Sequence, residues 1–148
     1  MAEPLAPGTR FIGVGHPYRG DDGVGPWLAE ALARRGFDAI AHAGDGADLI
    51  AAFEAGGAIV IADATCSGRP PGTVTTLDAR AAPLPSDLFH RSTHAFGLAA
   101  AVETARALGL LPDSLTILGI EGAEFGTGPG LTPAVAAAAG ELLSRLVC

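Results

Sequence analysis

Short apolar runs alternate along this chain with segments in which apolar positions recur every third or fourth residue. The runs predict strands at Arg10–Val14, Phe37–His42, Gly57–Asp63, Thr73–Leu77 and Leu115–Ile120. The helical spacing predicts helices at Gly25–Arg35, Asp45–Ala55, His94–Leu108 and Thr132–Leu146. In the first helix, Trp27, Leu28, Ala31 and Leu32 form one stripe, with Glu30, Arg34 and Arg35 outside it, and Gly36 supplies the stop. The third run, Ala58-Ile-Val-Ile-Ala62, is apolar at every position, the pattern of a central strand covered on both faces.

Strand and helix alternating with short links predict a three-layer α/β sandwich around a mostly parallel sheet, in one domain. The tight loop Ser67–Gly72, with Pro70, Pro71 and Gly72, predicts an antiparallel or edge strand after it. Ala81–Ser92 is the longest irregular stretch, of the kind that shapes access to a site. No repeat or linker interrupts the pattern.

Composition narrows the classes. The 148 residues are 49% hydrophobic and suit one compact domain. A formal net charge of −7 argues against nucleic-acid binding, which needs a basic face. Lysine is absent and all nine cations are arginine, which reads as compositional bias beside the high alanine content. Cys66 and Cys148 form no framework, the N-terminal residues carry no charged-then-apolar signal pattern, and no apolar run is long enough to span a membrane. The expectation is a cytoplasmic protein.

The densest chemistry lies between Gly13 and Gly25, reading Gly-Val-Gly-His-Pro-Tyr-Arg-Gly-Asp-Asp-Gly-Val-Gly. This strand-to-helix connection carries adjacent carboxylates, Asp21 and Asp22, which repel each other unless something positive is near. It lacks the third glycine of a dinucleotide fingerprint, where Tyr18 stands, and has no Gly-Lys-Ser/Thr of a phosphate loop. Ligands of open α/β sheets bind beyond the carboxyl ends of the strands. Asp22 follows the first predicted strand, Asp63 ends the third, and His94 opens a helix, so all three converge on that edge. Two carboxylates and an imidazole suit a borderline divalent ion such as nickel or zinc, with positions left open. Each residue has an ordinary alternative: Asp21 and Asp22 favouring a helix N-terminus, Asp63 accepting loop amides, His94 bonded to a backbone carbonyl. His16 and His42 also follow strands, His90 lies in the long loop, Cys66 reads better as a small buried residue than as a nucleophile, and Ser67 and Ser92 have no base nearby in sequence.

Gly13–Gly25 resembles the opening Gly-x-Gly-Asn-x-x-x-x-Asp-[Asp/Glu]-Gly-x-Gly of the [NiFe]-hydrogenase maturation endopeptidases. The resemblance continues in order through Val60-Ile-Ala-Asp-Ala64, Pro71-Gly-Thr73, Ser92-Thr-His-x-x-Gly-Leu98 and Gly130-Leu-Thr-Pro-Ala-Val135. It implies a phosphorylase/hydrolase-like sandwich with a twisted, mostly parallel five-stranded sheet. It also implies Asp22, Asp63 and His94 as metal-binding and catalytic residues. The implied activity is removal of a C-terminal extension from a hydrogenase large-subunit precursor. The nickel belongs to that precursor and serves as the recognition element, and no organic cofactor is implied. Asp21 and Asp63 are the candidates for a general base.

His16 stands where the family has Asn, and Asp45, in His42-Ala-Gly-Asp-Gly46, stands near a turn that carries Asp in many members. Two other readings compete. A peptidyl-tRNA hydrolase shares an opening Gly-x-Gly-Asn-Pro, but the acidic charge and Asp21-Asp22-Gly23 oppose it. A non-catalytic nickel-binding maturation module would use the same three ligands without cleavage.

Overall fold

The continuously apolar third run becomes the middle of the sheet. In the computed structural model, which describes residues 3–85, 87–89 and 97–148, the strands are β1 (Arg10–Val14), β2 (Ala39–His42), β3 (Ala58–Thr65), β4 (Val74–Asp78) and β5 (Ser114–Glu121). The helices are α1 (Val24–Arg34), α2 (Gly46–Glu54), α3 (Leu98–Leu108) and α4 (Pro133–Val147), and a 3-10 turn at Gly20–Gly23 leads into α1. The sheet order is β2-β1-β3-β5-β4, with β4 antiparallel to β5 and every other pairing parallel. The mostly parallel five-stranded sheet and the antiparallel edge strand are those expected from the sequence.

Two apolar layers flank the sheet. One joins Ile12, Ile59, Ile61 and Ile117 to Leu49 and Phe53 of α2 and to Val102 of α3. The other joins Phe11, Ala62, Leu118 and Ile120 to Leu28 and Leu32 of α1 and to Val135 and Leu142 of α4. Alternate β3 residues therefore serve opposite layers, and burying each large side chain stabilises the fold by about 1.5–3 kcal/mol.

Local signals set the helix ends. The Asp45 carboxylate caps α2 by accepting from Ala47 N at 2.9 Å and Asp48 N at 3.2 Å. Pro133 occupies the first turn of α4, where its missing N–H has no partner to lose. After α1, Gly36 takes φ +87°, Gly36 N donates to Ala33 O and Phe37 N donates to Leu32 O, which closes a Schellman turn. The expected helix His94–Leu108 is described from Leu98 onward, and its first residues, His94 included, lie outside the described residues.

The glycine-rich connection has a packing reason as well as a chemical one. A Cβ on Gly25 would lie 2.7 Å from Val14 N and 2.8 Å from Ala62 O, and closer still to Val14 O. A Cβ on Gly13 would overlap the Gly25 carbonyl. α1 thus rests directly on the main chains of β1 and β3, and the Gly20–Gly23 turn is carried to the sheet edge by that contact. Gly25→Ala is expected to cost about 3 kcal/mol or more. Gly140→Ala, in α4 with open space around it, is expected to stabilise by roughly 0.8 kcal/mol. Thermal unfolding of the two variants measures both, and a Gly25→Ala protein that melts like wild type would contradict the packing argument.

Candidate active site at the carboxyl edge of the sheet

The parallel strands end at Val14, His42, Thr65 and Glu121 on one edge, and four carboxylates gather there or just beyond. Asp21 and Asp22 come from the 3-10 turn after β1, Asp63 from β3 and Glu121 from the end of β5. Asp63 does not end the third strand, as expected from the sequence, but lies within it. β3 continues to Thr65 because its pairing with β5 runs on through Asp63↔Gly119, Ala64↔Ile120 and Thr65↔Glu121. Asp63 shares a sheet face with Ile59 and Ile61.

These carboxylates form two contrasting pairs. Asp21 is wholly buried and saturated: Ala123 N, Glu124 N, Thr132 N and the Thr132 hydroxyl all donate to it, at 2.8–3.1 Å. Burial alone would raise its pKa, but these bonds outweigh burial and bring it below the ordinary carboxylate value. Glu121, 3% exposed, accepts from the Thr65 and Ser67 hydroxyls at 2.7 Å each and from Ser67 N and Gly68 N. Its pKa is likewise lowered, against the effect of burial, by those donors.

Asp22 and Asp63 are shifted the other way. Asp22 is half-buried and accepts from His16 N at 2.8 Å. Burial raises its pKa, and the His16 N–H and the positive charges of Arg19 and His16 offset only part of the rise. Asp63 is buried, and burial followed by the charge of Asp22 pushes its carboxyl well above the usual range, with the Ala64 N–H opposing. The two carboxyls are therefore close enough to repel. Such a pair, one partly open and one buried, readily takes up a proton or a cation. Among the described residues no three His, Cys, Asp or Glu side chains could together hold a metal ion. The third sequence candidate, His94, lies outside the described residues, as does His90.

The remaining candidates find local roles. His16 holds Asp22 through its backbone N–H, with an exposed side chain. His42 Nδ1 accepts from Gly44 N at 2.8 Å, and Asp45 caps α2. Cys66 is half-buried beside Leu88, whose carbonyl accepts its N–H. Asp21 was a candidate base from sequence, but its saturation and lowered pKa fit it for holding structure rather than for accepting a proton. Glu121 and Thr132 were not among the sequence candidates. Glu121 carried a readable signal, because it ends an apolar run as a lone acid just as Asp63 interrupts one. Thr132 lies in the resembling block Gly130–Val135, but nothing local signalled its bond to Asp21, which spans 111 positions of sequence.

Comparison with known proteins accords with this architecture. No curated protein sequence matches the chain. Similar solved structures include the hydrogenase maturating endopeptidase HybD from E. coli, 26% identical with a TM-score of 0.74 over 93% of this chain and 88% of that one. The endopeptidase HycI from Escherichia coli gives 24% identity and a TM-score of 0.74 over 94% of this chain and 88% of that one. The [NiFe] hydrogenase maturation protease HybD from Thermococcus kodakarensis gives 22% and 0.69 over 92% and 94%. The last two, at such identity, speak for the fold alone. Residues 28–147 match the family model HycI, hydrogenase maturation protease, a match that includes Asp63 and begins beyond the loop of Asp22. With most of its length matching that model, the chain belongs to the hydrogenase maturation protease family.

Proposed function

We propose that this endopeptidase removes the C-terminal extension of a nickel-loaded [NiFe]-hydrogenase large-subunit precursor, with Asp22, Asp63 and His94 meeting the substrate's nickel. The observation that carries the reading is the Asp22–Asp63 pair. Two carboxyls with raised pKa values repel each other at the edge where ligands of such sheets bind, and an arriving cation would relieve that repulsion. Oxygen donors with an imidazole suit nickel without completing its shell, so the metal can remain with the precursor. Docking on the metal would hold the peptide in place and orient the scissile bond, and the metal would polarise the carbonyl for attack by water. Of the two candidate bases, Asp63 is the better fitted, because a raised pKa brings its proton affinity nearer to working pH. The proposed substrate partner is the precursor and the proposed site of action the cytoplasm; no helix among the described residues is long and apolar enough to cross a membrane.

Intact mass spectrometry of nickel-loaded and nickel-free precursor incubated with this protein tests the reading. Loss of a C-terminal peptide from the loaded form alone is expected. Equal cleavage of both forms would remove nickel from recognition, and cleavage of neither would leave a nickel-binding module. His94→Ala is expected to fold normally and to leave the loaded precursor uncut; normal processing by that variant would remove His94 from the site.

Activity and stability should move in opposite directions at Asp63. Its folded pKa lies well above the ordinary 3.8, so its stabilising contribution is complete below that value and is lost as pH rises through the folded value. Asp63→Asn is therefore expected to melt above wild type at pH 8, with the gap closing as pH falls below about 4. The same variant should lose about 10²-fold or more in processing rate. Asp21→Asn should do the reverse for stability. A lowered pKa gives stability that is present above 3.8 and is lost in acid, so this variant is expected to be about 2 kcal/mol less stable at pH 7 and closer to wild type in acid. Melting curves against pH read both signs, and an Asp63→Asn protein that melts below wild type at pH 8 would contradict the assignment.

A further inference from the structure

The segment from Glu121 to Thr132, between β5 and α4, touches both elements that carry the site carboxylates. At its start, Glu121 binds the exit of β3 through the hydroxyls of Thr65 and Ser67 and the N–H groups of Ser67 and Gly68. The main chain repeats the tie where Gly122 N donates to Thr65 O, and it also joins Glu121 to the residues leading into β4, with Glu121 N donating to Thr73 O and Gly72 N to Glu121 O. Further along, Ala123 N, Glu124 N and Thr132 hold Asp21. Here too the main chain repeats it: Asp21 N donates to Glu124 O, Gly20 N to Gly128 O, and Gly128 N to Tyr18 O. One anchor is the residue before Asp22, and the other begins two residues after Asp63.

Burying a carboxylate is costly unless donors surround it, and an apolar contact would close a loop onto a sheet at lower cost. Two buried carboxylates, each with a full set of donors, bring directional bonds where apolar packing would leave slack. They tie one strap to the two elements whose relative placement sets the Asp22–Asp63 separation. Resting on the protease reading above, we infer that Glu121 and Asp21 are positioning residues through which the 121–132 strap fixes the spacing of Asp22 and Asp63 for cleavage.

A double-mutant cycle tests this on the nickel-loaded precursor, with kcat, KM and melting temperature measured for each protein. Glu121→Gln replaces an acceptor oxygen with a donor facing Ser67 N and Gly68 N. Thr132→Val removes the hydroxyl from Asp21. Each single variant is expected to lower kcat about tenfold or more with KM within about twofold of wild type. The double variant should lose much less than the product of the two, because either change already spoils the same spacing, whereas the losses in melting temperature should add. Thr132→Ser should restore kcat. If Glu121→Gln does not fold, Ser67→Ala, which removes one donor to Glu121, takes its place in the cycle. Unchanged kcat in the single variants, or losses that multiply in the double, would overturn the inference and leave the strap a stabilising tie. Failure of the wild type to cleave would instead overturn the protease reading, and this inference with it.

Discussion

The fit of α1 against bare main chain is the constraint on which the rest of the site depends. Gly25 leaves no room for a side chain against Val14 and Ala62, and Gly13 leaves none against Gly25. The helix therefore starts directly over β1 and β3, and the turn that precedes it must sit at the carboxyl edge of those strands. That places the charge of Asp22 where it acts on Asp63. A helix standing off by the width of a methyl group would carry Asp22 away from the strand that holds its partner.

Around this contact the protein treats its carboxylates in two ways. Asp21 and Glu121 are buried with full complements of donors, their pKa values are lowered, and they bind loop to strand. Asp22 and Asp63 have few donors among the described residues, their pKa values are raised, and the charge of Asp22 acts against that of Asp63. The first pair adds stability at neutral pH and the second subtracts it. Stabilised groups next to destabilised ones are what a binding edge needs, since the strain of the second pair is released only when charge arrives from outside.

Membership of the hydrogenase maturation protease family and the similarity in fold to HybD from E. coli agree with a site built for peptide processing. The 121–132 strap spans the carboxyl edge and binds Asp21, the residue before Asp22, and the exit of β3, just beyond Asp63.

Much of this was legible in the chain because it depends on local pattern. The period of the apolar residues determined the strands and helices, since burial on one face imposes period 2 or 3.6 wherever an element forms. The loop Ser67–Gly72 announced the antiparallel edge strand, and the position of Asp63 in an apolar run announced a buried charge that needs a reason. Tertiary structure alone decided what each acid does. Asp21 and Asp22 are adjacent and chemically identical, yet one is saturated with donors and lowered in pKa while the other is raised by burial. The donors that distinguish them come from Ala123, Glu124 and Thr132, more than a hundred residues away. Glu121 likewise takes its donors from Thr65, Ser67 and Gly68 across the sheet. Periodicity records which face a residue turns to the core, but a hydrogen bond depends on where two distant segments meet, and that is settled only when the layers close.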